Sequence, residues 1–182
     1  MSAVIHRTTL EYRPLASTGR FDPADWIINP DLSALAAVDK KYWKIVGDTV
    51  VEMDQGEKDA VDVIVLQQLK DEKSEVARER TDEIYDAGFE HPAASGDWFP
   101  LRSDNRLDWL AAGELGTSLT YPFKIMTRDD QAVSVANNGS LQLYRGAAVT
   151  RSMLILAAQN DLIESYQAAV DEAALDALVD SR

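Results

Sequence analysis

The alternation of apolar and polar positions in this chain changes period several times, and each change predicts an element. Val4-Ile5-His6-Arg7-Thr8-Thr9-Leu10-Glu11-Tyr12 is rich in β-branched residues and predicts a strand. Pro14, Gly19 and Pro23 mark a loop before the apolar Trp26-Ile27-Ile28. Asn29-Pro30-Asp31 signals a turn into a short helical piece, Leu32 to Ala37, with Asp31 as its cap. Tyr42-Trp43-Lys44-Ile45-Val46 and Thr49-Val50-Val51-Glu52-Met53 then alternate around Gly47-Asp48, a Gly-X pair that suits a two-residue type II′ hairpin. A lone hairpin is marginal in water, so its aromatic side needs a partner, for which the strand at Val4 to Tyr12 and Trp26 are candidates.

At Asp54 the period becomes helical. Asp54 and Glu57 stand at capping-box spacing, with Asp in place of the usual Ser or Thr, and Gly88 supplies a stop after Ala87. The first half of this helix is apolar at Val61, Ile64, Val65 and Leu69. In the second half, 10 of the 14 residues from Lys70 to Glu83 are charged, which predicts a solvated helix laced with short-range ion pairs among Glu75, Glu79, Arg78 and Arg80. The fragment Val65, Leu69, Val76 leaves a weak oligomeric coiled coil as the alternative, although Glu72 interrupts it. At about 1.5 Å per residue such a helix would act as a spacer of roughly 45 Å.

From Gly88 onward the pattern is mixed. Phe89-Glu90-His91 and Asp97-Trp98-Phe99-Pro100-Leu101 predict a hairpin around Pro92 to Gly96, and Asp104 caps a predicted helix with Leu107, Trp109 and Leu110 that ends at Gly113. Phe123 to Thr127 and Ala132 to Val135 flank Arg128-Asp129-Asp130-Gln131 as a further hairpin. After the turn Asn137 to Ser140, Leu141 to Tyr144 lead into a long final helix. There Val149, Leu156, Ile163 and Val170 recur every seven residues, with Met153, Tyr166 and Ala173 beside them. Because Gln159 lies among them, the repeat reads as one face packed on the domain, with a two-stranded coiled coil as the alternative.

The predicted fold class is α+β: a small β-rich N-terminal module (1–53), a long connecting helix (54–87), and a C-terminal α+β domain (88–182) with short hairpins and a long terminal helix. The 182 residues suffice for one ordinary domain or two small ones. Acidic side chains outnumber basic ones 31 to 18, a formal charge of -13, which repels phosphate backbones and argues against nucleic acid as a partner. Cysteine is absent, so disulfides and thiolate metal sites are excluded, and His6 and His91 stand in no ligand or triad spacing. The start MSAVIHRTTLEYRP lacks the apolar core of a signal peptide, and no apolar run approaches bilayer length, so we expect a chain made in a cytoplasm without membrane insertion.

The candidate chemistry is sparse. The pairs Asp129-Asp130, Asp104-Asn105 and Asp171-Glu172 could hold a cation or form an acid/base couple, but turns and caps use these residue types for local hydrogen bonding. No Asp-x-Asp-x-Asp calcium loop occurs, and Gly113-Glu114-Leu115-Gly116 lacks a phosphate-loop pattern. Asn138-Gly139-Ser140 is formally a glycosylation acceptor and reads as a turn. Trp26, Trp43, Trp98 and Trp109 could stack on sugars or bases. Without a basic groove they read as core or interface residues.

Two regions resemble a known group. Asp25-Trp26-Ile27-Ile28-Asn29-Pro30-Asp31-Leu32-Ser33, followed by Lys41 to Met53 and Glu57-Lys58, resembles the N-terminal segments of structural proteins from tailed bacteriophages, where a hairpin ending in Glu-Met leads into a charged helix. The part from Gly88-Phe89 through Thr127-Arg128-Asp129-Asp130 to the final helix looks like the C-terminal domain carried by phage tail-fibre and tail-fibre-assembly proteins. Here Asp130 replaces the usual Asn, and Ile125-Met126 the usual Trp-Arg.

The resemblance implies a non-enzymatic virion component of the tail, baseplate or fibre-attachment region, made in the host cytoplasm. It would work through interfaces with other virion proteins and as a homo-oligomer. The alternative is a fibre-assembly chaperone that does not stay in the particle. No catalytic, cofactor-binding or metal-binding residues accompany the resemblance. Trp26, Tyr42 and Trp43 are the expected N-terminal anchors for a partner, the competing reading being that they form that module's own core.

Overall fold

The structure, a computed structural model, describes residues 3–14, 18–102 and 111–182. It is α+β, with four small antiparallel sheets and two long helices among the described residues. The chain divides into two compact units, Met1–Gln68 and Leu69–Arg182. The boundary thus falls inside a helix, whereas the sequence places breaks at both of its ends.

In the first unit, β1 (Val4–His6) is the central strand of a three-stranded sheet, paired antiparallel with β2 (Tyr12–Arg13) and β3 (Trp26–Ile28). The single strand expected from Val4 to Tyr12 is therefore a tight hairpin. It turns after His6, where the Nδ1 of His6 accepts from the backbone N–H groups of Thr8 and Thr9 and Leu10 takes a positive φ of 54°. The expected helix at Leu32 to Ala37 shortens to one 3₁₀ turn, Ser33–Leu35. Asp31 accepts from the Ser33 amide and does not cap as expected.

β4 (Trp43–Val46) and β5 (Thr49–Glu52) form the predicted hairpin, with Val46 opposite Thr49. Gly47 supplies the positive φ of 61° that a type II′ turn needs at its first central position. The core of the unit gathers Ile5, Ile27, Leu35, Trp43 and Val50. Arg7 ties the sheet to the hairpin, donating to the carbonyls of Pro23 and Gly47 and pairing with Asp48 at 2.6 Å.

The helix α1 spans Gln55–Ala87. Its start is the reciprocal cap that the sequence predicts: the Glu57 amide donates to Asp54 at 3.0 Å, and the Asp54 amide donates to Glu57 at 2.9 Å. The first of these bonds holds the Asp54 carboxyl below its ordinary range. The pairs Lys44–Glu57 and Lys58–Glu52 join strand to helix across the junction.

In the second unit, α1 runs antiparallel to α2 (Asn138–Ala168): Lys70 donates to the Gln167 carbonyl at 2.9 Å, and Tyr85 to the Ser152 carbonyl at 3.2 Å. The expectation of a solvated second half of α1 is corrected here. Lys70, Ser74, Ala77, Thr81 and Tyr85 form a buried stripe. Ser74 and Thr81 can be buried because each hydroxyl donates to a carbonyl one turn back, at Lys70 and Ala77. The charged residues occupy the remaining face, with ion pairs Arg78–Glu75 and Arg80–Glu83.

Two hairpins complete the unit: β6 (Phe89–Glu90) with β7 (Trp98–Phe99), and β8 (Phe123–Met126) with β9 (Ala132–Val135). Tyr85, Phe89, Phe99, Leu101, Val135, Leu141, Tyr144, Ala148 and Ile155 make its core. After α2 the chain forms α3 (Glu172–Asp176), capped by Asp171, and its tail lies back along α1. Arg182 donates there to Thr81 Oγ1 at 2.9 Å and to the Ala77 carbonyl at 3.0 Å. The predicted helix with Leu107, Trp109 and Leu110, and the pair Asp104-Asn105, lie outside the described residues; residues 111–115 are helical.

Candidate partner interface

The three aromatic residues expected as anchors have different fates within the first unit. Trp43 is 6% exposed and its indole N–H donates to the Val38 carbonyl at 3.1 Å, so it belongs to the core and offers no surface to a partner. Tyr42 is half-buried, with its hydroxyl on Asp62 and the ammonium groups of Lys41 and Lys58 over its ring. Trp26 is half-buried, edge-on to His6 and Phe21 at 4.8 Å, with the Arg13 guanidinium 5.2 Å from its ring centre.

The two described carboxylate pairs stand at a helix start and in a hairpin turn. Asp171 accepts from the Ala174 amide as a helix cap, while Asp129 and Asp130 sit in the β8–β9 turn, where Asp130 adopts a φ of 57°. Among the described residues no group of three or more His, Asp or Glu side chains could hold a metal ion, and no helix is long and apolar enough to cross a membrane.

A concave surface of the second unit lies where α2 passes the C-terminal end of α1 and the β7 strand. A groove of about 370 Å³ is lined by Ile84, Ala87, Trp98, Leu154, Ile155 and Ala158, and carries Arg80, Arg151, Arg182 and Glu83. A second hollow of about 470 Å³ adjoins it through shared walls at Trp98, Arg151 and Leu154. Local chemistry positions these groups. Gly88 ends α1 at a φ of 82°, in the left-handed conformation that lets the chain turn directly into β6, which pairs with β7. The Arg128 amide donates to the Trp98 carbonyl at 2.6 Å, and the Arg128 guanidinium lies 5.8 Å from the centre of the Trp98 ring.

The charges in this groove are unequally satisfied. Arg80 is paired with Glu83, and Arg182 with Asp180 at 2.6 Å. The Arg182 hydrogen bond holds the Asp180 carboxyl below its ordinary range. Arg151 has no ion pair or hydrogen bond among the described residues and is exposed, next to a Leu154 that is itself 60% exposed. The combination is an apolar trough with one uncommitted guanidinium, on a protein of net charge -13. Such a surface matches an apolar segment that carries a carboxylate, since Arg binds planar carboxylates in bidentate fashion.

Arg151 and Leu154 were not among the residues singled out from the sequence, and Trp98 appeared there as a hairpin residue and as one of four tryptophans. The signal for them is the run Met153 to Ala158, beginning two residues after Arg151, which is apolar on more faces than one packing stripe requires. Compared with known proteins, the chain matches no family model, no curated protein and no solved structure.

Proposed function

We propose that this chain is a non-enzymatic structural protein of a tailed-bacteriophage virion, an adaptor of the tail, baseplate or fibre-attachment region that works through protein–protein interfaces. The observation that carries the reading is the apolar trough around Trp98 and Leu154 with its uncommitted Arg151. Its docking target is an apolar, carboxylate-bearing segment of a neighbouring virion protein. Burial of Trp98 and Leu154 would supply affinity, and pairing of Arg151 would supply orientation.

The resemblance of the segments around Trp26 and of Lys41 to Met53 supports the virion assignment. Of the acidic residues, Asp54 and Asp171 are engaged as helix caps. Two separately cored units sharing one helix suit adaptor work among arrayed copies, because weak contacts at several sites multiply into firm attachment. The test is the protein content of purified particles. The reading expects this chain at a constant ratio to the tail proteins. Its absence from particles, with binding to fibre protein only during assembly, would contradict the reading and support an assembly chaperone.

A further inference from the structure

We propose that α2 carries a second interface, for a second copy of this chain, along a parallel two-stranded seam of Val149, Met153, Leu156, Asn160 and Ile163. The stripe that α2 buries within its own unit consists of Leu141, Tyr144, Ala148, Ile155 and Tyr166. The heptad positions Val149 and Leu156 each lie one residue beyond a member of that stripe, a rotation of about 100° around the helix. The expectation that the seven-residue repeat marks the face packed on the domain is therefore corrected: Val149, Met153 and Leu156 are 45%, 63% and 38% exposed, Asn160 is exposed and Ile163 half-buried.

The unused face has the period of a coiled-coil seam. Its members are separated by four, three, four and three residues, which places Val149, Leu156 and Ile163 at d positions and Met153 and Asn160 at a positions. A single Asn at an a position meets its own counterpart only when two helices run parallel and in register, and there it fixes both.

Charge and area also point to a like copy. Two chains of charge -13 repel each other, yet from Gly146 to Asn160 the only charged residue is Arg151, which faces the groove. The seam is the strip along which like-charged copies can approach. It exposes on the order of 300 Å² of apolar surface per copy, against roughly 800 Å² per partner for a standard stable interface, which fits a reversible dimer.

This deepens the adaptor reading by naming where copies meet, and it is tested by self-association alone, so its failure leaves docking in the groove untouched. Sedimentation equilibrium of the full chain across the micromolar range should show a monomer–dimer equilibrium. Leu156→Asp should weaken it by about 100-fold without changing the far-ultraviolet circular dichroism. Met153→Asp, at a more exposed position, serves if that variant does not fold.

Because the chain has no cysteine, Val149→Cys and Leu156→Cys can each be cross-linked by oxidation without background. A parallel seam predicts a disulfide dimer from both single variants. An antiparallel one permits at most one of them, since the positions stand about 10 Å apart along the helix. A monomeric chain, a dimer insensitive to both Asp variants, an oligomer larger than two, or cross-linking at one position only would overturn the proposal.

Discussion

The hydroxyl of Tyr42 donates to both carboxylate oxygens of Asp62, at 2.7 and 2.9 Å, and so fastens the end of a 3₁₀ turn to the second turn of α1. Lys41 reaches the same carboxylate at 2.9 Å. The Tyr42 hydrogen bond first, and the Lys41 bond second, hold Asp62 below its ordinary value of 3.8. A depressed carboxylate stabilises the fold above its unfolded value, and that contribution is lost as pH falls through the folded one. Tyr42→Phe should therefore raise the Asp62 value towards 3.8 and flatten the loss of stability below that pH. Carboxyl-carbon chemical shifts followed by NMR across the acid range check this, and an unmoved Asp62 would show that the bond does not form in solution.

Gly88 and Gly146 give opposite expectations for the same substitution. A Cβ on Gly88 would stand 2.1 Å from the Phe99 carbonyl oxygen in a backbone of positive φ, so Gly88→Ala should destabilise the second unit by roughly 2–4 kcal/mol. Gly146 lies within α2 with open space around it, so Gly146→Ala should stabilise by about 0.5–1 kcal/mol. Urea unfolding of the two variants decides both.

Ala77 tests the buried stripe of α1. It is 1% exposed, so Ala77→Leu should cost about 1–3 kcal/mol through overpacking. The neighbouring Val76 is 63% exposed, and Val76→Glu should change stability by no more than about 0.5 kcal/mol. Equal effects at the two positions would indicate that this half of α1 stands in solvent.

That contrast shows where the sequence was legible. Elements governed by local chemistry could be read directly: the Gly47-Asp48 turn, the reciprocal cap of Asp54 and Glu57, the stop at Gly88 and both C-terminal hairpins. Faces decided by tertiary packing could not. The stripe Ser74, Ala77, Thr81 is small and polar, and only back-bonded hydroxyls make its burial possible, so hydropathy assigns it to solvent. In α2 the apolar positions outnumber those of one packing face, so the strict heptad of Val149 and Leu156 drew attention away from the face that is buried. The groove depends on Trp98 and Arg151 meeting across 53 residues of chain, which no local pattern encodes.

Arg182 joins the tail to α1 through Thr81 and the Ala77 carbonyl while pairing with Asp180. Arg182→Ala should destabilise the second unit by about 1–2 kcal/mol at neutral pH. Because Arg182 holds the Asp180 carboxyl low, the deficit should shrink as the pH falls below the ordinary aspartate value of 3.8, where the wild type loses the same pairing. Thermal melts of both proteins at neutral and acid pH measure the difference.

The docking role proposed for the groove is tested most directly by competition inside one assembly. Wild-type chain and the Arg151→Glu/Leu154→Asp variant, co-expressed during particle production, can be quantified in purified particles by mass spectrometry of the peptides that differ. Both substitutions are at exposed positions, so the variant should fold. The account predicts its depletion by about 10-fold or more relative to its share in the cell, as expected when an interface loses its apolar anchor and its orienting charge. Incorporation of the two chains in proportion to their expression would contradict it.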